Sequence, residues 1–200
     1  MKKIISLFKR DYEGTRLVYN EVVEGAEWVI AGEGVATRKW DGTCCMVRDG
    51  KLYKRFDAKR GKTPPAGFEP AQDYDEITGH MPGWVPVRES NPEDRWHMMA
   101  WDNQKDYICD GTYELCGPKV QGNPEKEYVD AELRRSGTLI HILIPHGRYI
   151  YPDAPRDFDG LKAFFAANDI EGIVWHHPDG RMVKIKAKDF GIHRGVRVAA

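Results

Sequence analysis

The stretch Gly172-Ile173-Val174-Trp175-His176-His177-Pro178-Asp179-Gly180-Arg181-Met182-Val183-Lys184-Ile185-Lys186 holds two β-type runs around a turn signal. Asp-Gly tolerates positive φ at both central positions, so it predicts a tight primed hairpin turn at Asp179-Gly180. Beyond it, residues 182–186 alternate apolar and basic, which suits a strand with one dry face. Lys184 and Lys186, two apart, then project from the same face. The same pattern recurs in Thr43–Arg48, Asp49-Gly50 and residues 51–55. Further strands are predicted at residues 111–115 and at residues 139–144, the latter stopped by Pro145. Helical spacing of Leu161, Phe164 and Phe165 predicts a helix over residues 158–168. A second helix is predicted over residues 124–135, with Pro124 in its first turn and Gly137 beyond its end. The Pro- and Gly-rich residues 61–92 read as long loops or short strands. These patterns define the fold class as α+β, one domain over residues 1–200 built on antiparallel sheet.

A chain of 200 residues buries a substantial core without disulfides. Charged residues make up 30% and hydrophobic ones 41%, a soluble, globular balance. The net charge of −1 announces no nucleic-acid binder on average, so contact with phosphates must come from local patches. Two exist: residues 51–62 and residues 181–197 each hold six basic residues against one acid. No apolar run approaches membrane-spanning length, and the start is too briefly apolar for a secretory signal. Cys44, Cys45, Cys109 and Cys116 show no CxxC spacing and read as reduced, mostly buried thiols of a cytoplasmic protein. His176-His177 and Cys44-Cys45 lack tetrahedral zinc spacing. Five tryptophans (Trp28, Trp84, Trp96, Trp101, Trp175) read as core residues.

Four segments carry candidate chemistry. Lys39-Trp40-Asp41-Gly42 follows the apolar-leaning Gly34-Val35-Ala36-Thr37, and alone is an ordinary strand-end turn. Thr112-Tyr113-Glu114-Leu115-Cys116-Gly117 sets one carboxylate in an apolar strand, where an outward-facing acid is the plain reading. Glu171-Gly172-Ile173-Val174 opens a buried-looking strand. Met182-Val183-Lys184-Ile185-Lys186 also fits a solvated edge.

In this order the segments resemble motifs I, III, IV and V of the covalent nucleotidyltransferases, the DNA ligases, RNA ligases and mRNA capping enzymes. Further stretches are similar to the ATP-dependent 5′-3′ RNA ligase family that includes the vertebrate RNA ligase. They are Ala36-Thr37, Asp41-Gly42-Thr43-Cys44-Cys45, residues 79–87, Gly122-Asn123-Pro124, Ile144-Pro145-His146-Gly147 and residues 171–176. Arg38 departs from the acid expected there, and the segment between Pro92 and Gly111 is shorter. The resemblance implies an antiparallel-sheet adenylyltransferase domain of ligases (ATP-grasp-like). With fourteen residues after Lys186, no C-terminal OB-fold is expected.

The implied activity is ATP-dependent joining of 5′-phosphate and 3′-hydroxyl RNA ends through a lysyl-AMP intermediate and an adenylylated 5′ end, in RNA repair. Lys39 is the expected nucleophile. An unperturbed amine, pKa about 10.4, is neutral in roughly 1 of 2,500 molecules at pH 7, so activation costs about 4.6 kcal/mol at half-neutrality. Burial, Lys184, Lys186 and a nearby divalent cation are its expected sources. The resemblance assigns the ribose hydroxyls to Glu114 and the α-phosphate to Lys184 and Lys186. It puts Arg55 near the ATP phosphates or the RNA 5′-phosphate. His146 is a candidate for stacking on adenine. Asp41 and Glu171 are expected to hold Mg²⁺ or Mn²⁺. ATP and RNA are thus the expected ligands, with no obligate protein partner and no membrane. A DNA ligase, an end-adenylylating enzyme, a capping-type guanylyltransferase and a non-catalytic nucleotide- or nucleic-acid-binding module are the competing readings.

Overall fold

A computed structural model describes residues 3–76, 78–137 and 140–195. The chain is mixed α+β, and its contacts gather into two compact units. The first comprises Met1–Lys3 and Asp41–Pro145, the second Ile4–Trp40 and His146–Ala200. No helix among the described residues is long and apolar enough to cross a membrane.

The first unit is built on a six-stranded, wholly antiparallel sheet. Its strands lie in the order Ile142–Pro145, Gly111–Cys116, Thr43–Arg48, Lys51–Lys59, His80–Pro86, Glu69–Pro70. The hairpin at Asp49-Gly50 forms as its sequence predicts, with φ of 51° and 66° at its two central residues. Inward residues Cys45, Val47, Leu52, Tyr113, Leu115 and Leu143 build this unit's core with Ala100 of the helix Arg95–Gln104. Gln104 ties that helix to the edge strand, its side chain exchanging hydrogen bonds of 2.6 and 3.1 Å with the backbone of Leu143. The predicted edge strand begins later than expected, at Ile142, and Leu139 lies outside the described residues. Pro145 ends the strand from within it; an edge strand tolerates a missing ladder donor. The helix Lys126–Ser136 closes on Gly137 at φ 79°.

The second unit carries a four-stranded sheet in the order Ile5–Ser6, Met182–Lys186, Gly172–His176, Val35–Lys39, and a two-stranded ribbon of Phe8–Arg10 with Val18–Val22. Ile5–Ser6 pairs parallel, the other pairs antiparallel. One face of the sheet packs through Ala36, Ile173, Trp175, Val183 and Ile185 on Leu161 and Phe165 of the helix Phe158–Ala167. Asp157 caps that helix by accepting from the Gly160 amide at 2.8 Å.

The turn of the 172–186 hairpin differs from its prediction. Asp179 does not adopt positive φ; only Gly180 does, at 90°. The Gly180 amide bonds the His177 carbonyl at 2.9 Å, and the His177 amide bonds that of Arg181. Pro178 is the cause: as the residue flanking a two-residue turn it would have to donate an amide to the Arg181 carbonyl and has none, while its φ near −65° suits the second position of a type I turn. The loop therefore lengthens to Pro178-Asp179-Gly180, with a left-handed glycine at its end.

Candidate functional site

Register builds the site in the second unit. Gly172 faces Lys39 on one neighbouring strand and Lys186 on the other; Val174 faces Thr37 and Lys184. In-register partners share a face, so Lys39, Lys184 and Lys186 rise together from the face opposite the core. Between Lys39 and Lys186 stands a residue without a side chain. A Cβ on Gly172 would lie 2.2 Å from the Ile185 carbonyl oxygen. Glycine here permits close strand approach and leaves room for the flanking lysines.

The lysines meet at Glu171. Lys39 Nζ lies 2.5 Å from its Oε2 and Lys186 Nζ 2.6 Å from its Oε1. The carboxylate side chain is 10% exposed, those of both lysines 20%. Burial alone would raise the Glu171 pKa; the charges and hydrogen bonds of Lys39 and Lys186 outweigh it and hold the group below the usual carboxylate range. Lys184 has no carboxylate within ion-pair distance among the described residues. Burial first, then the charges of Lys186 and Lys39, depress its pKa to about 8.

Around this group the second unit places further polar residues. The Thr37 hydroxyl lies 3.2 Å from the Val174 carbonyl and 3.0 Å from His176 Nε2. With its proton on Val174, it accepts from the imidazole. Burial, then the charge of His146, lowers the His176 pKa. Arg38, where an acid was expected, sits 4.2 Å over the Trp40 ring, which in turn meets Tyr149 edge-on at 5.0 Å. His146 is half-buried in this unit, at the chain's return from the first.

The remaining predicted residues belong to the first unit. Glu114 is not the outward-facing acid of its plain reading. It is 7% exposed on a strand paired on both sides, and its Oε1 accepts from the Gly42 amide at 3.1 Å. Gly42 is needed there too, since a Cβ would sit 2.2 Å from the Leu115 carbonyl oxygen. Asp41 is half-buried, its amide donating to Glu125 at 3.2 Å. Arg55 lies 5.7 Å over Trp84 and 3.4 Å from Asp57. Trp28, Trp84 and Trp175 are core residues as read; Trp96 and Trp101 pack half-buried against their unit's core.

Two residues, His97 and Ser6, escaped the sequence reading. The helix Arg95–Gln104 brings Trp96, which stacks on His141 at 4.7 Å, and His97. Its cue was present in Asn91-Pro92: Asn91 accepts from the Glu93 amide at the start of the turn that leads into it. Ser6 lies in a strand of only two residues, too short for periodicity to register.

Fold and site thus define an α+β protein whose second sheet gathers three lysines about one buried glutamate. A profile of the RNA ligase 1 family matches residues 105–197. RNA ligase 1 of Danio rerio is 26% identical across 92% of this chain and 76% of its own length. That of Pongo abelii is 26% identical across 79% and 67%, and that of Mus musculus 24% across 92% and 75%. Over most of its length the chain is thus similar to proteins named RNA ligase 1, at about a quarter identity.

Proposed function

We propose that the protein is an ATP-dependent RNA ligase acting through a lysyl-AMP intermediate on Lys39, joining 5′-phosphate to 3′-hydroxyl RNA ends in repair. One observation carries the reading: Lys39, Lys184 and Lys186 share a sheet face around Glu171, in a chain similar to proteins named RNA ligase 1.

The Lys39 amine, having lost a proton, attacks the α-phosphorus of ATP. A nitrogen–phosphorus bond forms, the bond to the bridging oxygen breaks, and pyrophosphate leaves. AMP then passes to an RNA 5′-phosphate, and a 3′-hydroxyl displaces it. Lys184 and Lys186 offset charge on the α-phosphate, where fixed cations act with little reorganisation. Glu171 aims Lys39 but also favours its ammonium form, so its grip must loosen before attack.

Glu171 already holds two cations, and its hard oxygens suit Mg²⁺ or Mn²⁺ once a lysine yields its place. A divalent cation held by such carboxylates, Glu171 or Asp41, supplies charge compensation for the phosphates. By resemblance, Glu114 takes the ribose hydroxyls, Arg55 a phosphate and His146 the adenine.

Incubation with labelled ATP and Mg²⁺, followed by mass spectrometry, is expected to find AMP on Lys39. Addition of 5′-phosphorylated RNA is expected to give sealed product, with matched DNA ends sealing poorly. Lys39→Ala should lose the adduct completely. Label that persists in Lys39→Ala, or binding of ATP with no adduct in the wild type, would sink the reading.

A further inference from the structure

Ser6 and Lys184 are in-register neighbours in the parallel pair, fixed by the Leu7 amide bonding the Lys184 carbonyl at 2.9 Å. The adjacent partners Ile5 and Val183 point the other way, Val183 into the core. Ser6 therefore stands on the face that carries Lys39, Lys184 and Lys186. Its hydroxyl is shielded from solvent and has no hydrogen-bond partner among the described residues. Folded proteins rarely leave such a group unsatisfied, and an absent ligand is one of the few explanations. Beside it is Lys184, the one of the three lysines not engaged by Glu171. A hydroxyl donor next to an uncommitted ammonium is the chemistry that holds an anionic oxygen.

Strand order says which oxygen. From the Lys39 strand, the sheet runs through Gly172–His176 and Met182–Lys186 to Ser6 at the edge. Three strand spacings put about 14 Å of sheet between Lys39 and Ser6. In an in-line displacement the leaving group departs opposite the nucleophile. The residue beyond Lys184, away from Lys39, therefore meets the pyrophosphate end of ATP. We propose that Ser6 is a further substrate-binding residue whose hydroxyl, with Lys184, holds an oxygen of the β- or γ-phosphate. This assignment rests on the ligase reading above.

The step it serves separates it from a structural role. In the full-length chain, Ser6→Ala is expected to slow transfer of AMP from ATP to Lys39 about tenfold at subsaturating ATP, the loss of one hydrogen bond to a charged group. Pyrophosphate-driven release of AMP from the adenylylated protein should slow by a similar factor. Sealing of RNA already adenylylated at its 5′ end, which uses no ATP, should stay within about twofold, being independent of that bond. Ser6→Thr, which keeps the hydroxyl, should restore the first two rates. An Ala variant with normal ATP transfer, equal slowing of all three steps, or a Thr variant as impaired as Ala overturns the assignment while leaving the ligase reading intact. A wild-type protein that never acquires AMP takes both down.

Discussion

Glu171 is the residue on which the site's electrostatics turn. Removing its charge leaves two lysine ammoniums facing each other in a largely buried place, a costly arrangement. Glu171→Gln keeps the shape and loses the charge; we expect adenylylation of Lys39 to fall about a hundredfold, in the range of other charged-group losses at reacting centres. Near-normal rates in that variant would show the carboxylate to be scaffolding. Lys184 sets a pH dependence. With its pKa near 8 it carries charge below that value and loses it above. Binding of a non-reacting ATP analogue should therefore weaken as pH rises through 8, by about tenfold at pH 9 if the bound lysine stays protonated. Titration calorimetry from pH 6.5 to 9 checks this, and a flat profile counts against a phosphate contact at Lys184. The shared face of Lys184 and Lys186 could be read from their spacing of two. The burial of Glu114 could not, because it depends on what the fold brings against its carboxylate, the Gly42 amide among them.

Strands explain why glycine stands beside the reactive groups. Gly172→Ala would force a methyl group against the Ile185 carbonyl, a backbone atom that cannot step aside. The expected cost is about 1–3 kcal/mol, typical of overpacking, seen as a lower urea midpoint. Adenylylation should fall with it, since the Lys39 and Lys186 strands both register on Gly172. An unchanged midpoint would mean the strands have more slack than their geometry indicates. The two hairpins show how far local rules reach. Asp49-Gly50 obeys them, its flanking Arg48 and Lys51 paired across the turn. At Asp179-Gly180 the preceding Pro178 overrides the same dipeptide. The helix Arg95–Gln104 was hidden because its apolar residues 98–101 form a short continuous run rather than a helical stripe, with Asp102, Asn103 and Gln104 grouped after it, although its entry at Asn91-Pro92 was legible.

Across the whole chain, the contacts divide what the sequence runs together. The Lys39-Trp40-Asp41-Gly42 tetrapeptide straddles the boundary between units, with Lys39 and Trp40 in one and Asp41 and Gly42 in the other. Each unit has its own core. The first also buries a polar group: Lys54 Nζ lies 2.5 Å from Asp94, which accepts from the Arg88 amide, and His97 has both ring nitrogens shielded without a partner among the described residues. Burial chiefly, with the charges of Lys54 and His141 adding and that of Asp94 opposing, drives the His97 pKa from 6.5 to about 4. Between those values the unfolded chain takes up a proton that the folded chain refuses, so stability falls as pH drops from 6.5 to 4 and this contribution is flat above 6.5. Urea midpoints measured across that range should fall less steeply in His97→Leu than in the wild type. Parallel curves would exclude His97 as the source.

The sequence by itself determined the elements and the chemical types: period-two runs, the Asp49-Gly50 turn, one well-marked helix, and the order of Lys39, Glu114, Glu171, Lys184 and Lys186. Those follow from local sterics and alternation, which a chain carries without its neighbours. Only the tertiary structure decided that Glu171 holds Lys39 and Lys186 at once, that Lys184 is left without a carboxylate among the described residues, and that Ser6 stands beside it. These depend on which strands pair and in what register. Register is set by the burial of Val183, Ile185, Ile173 and Trp175 in a common core, a choice made by the whole sheet.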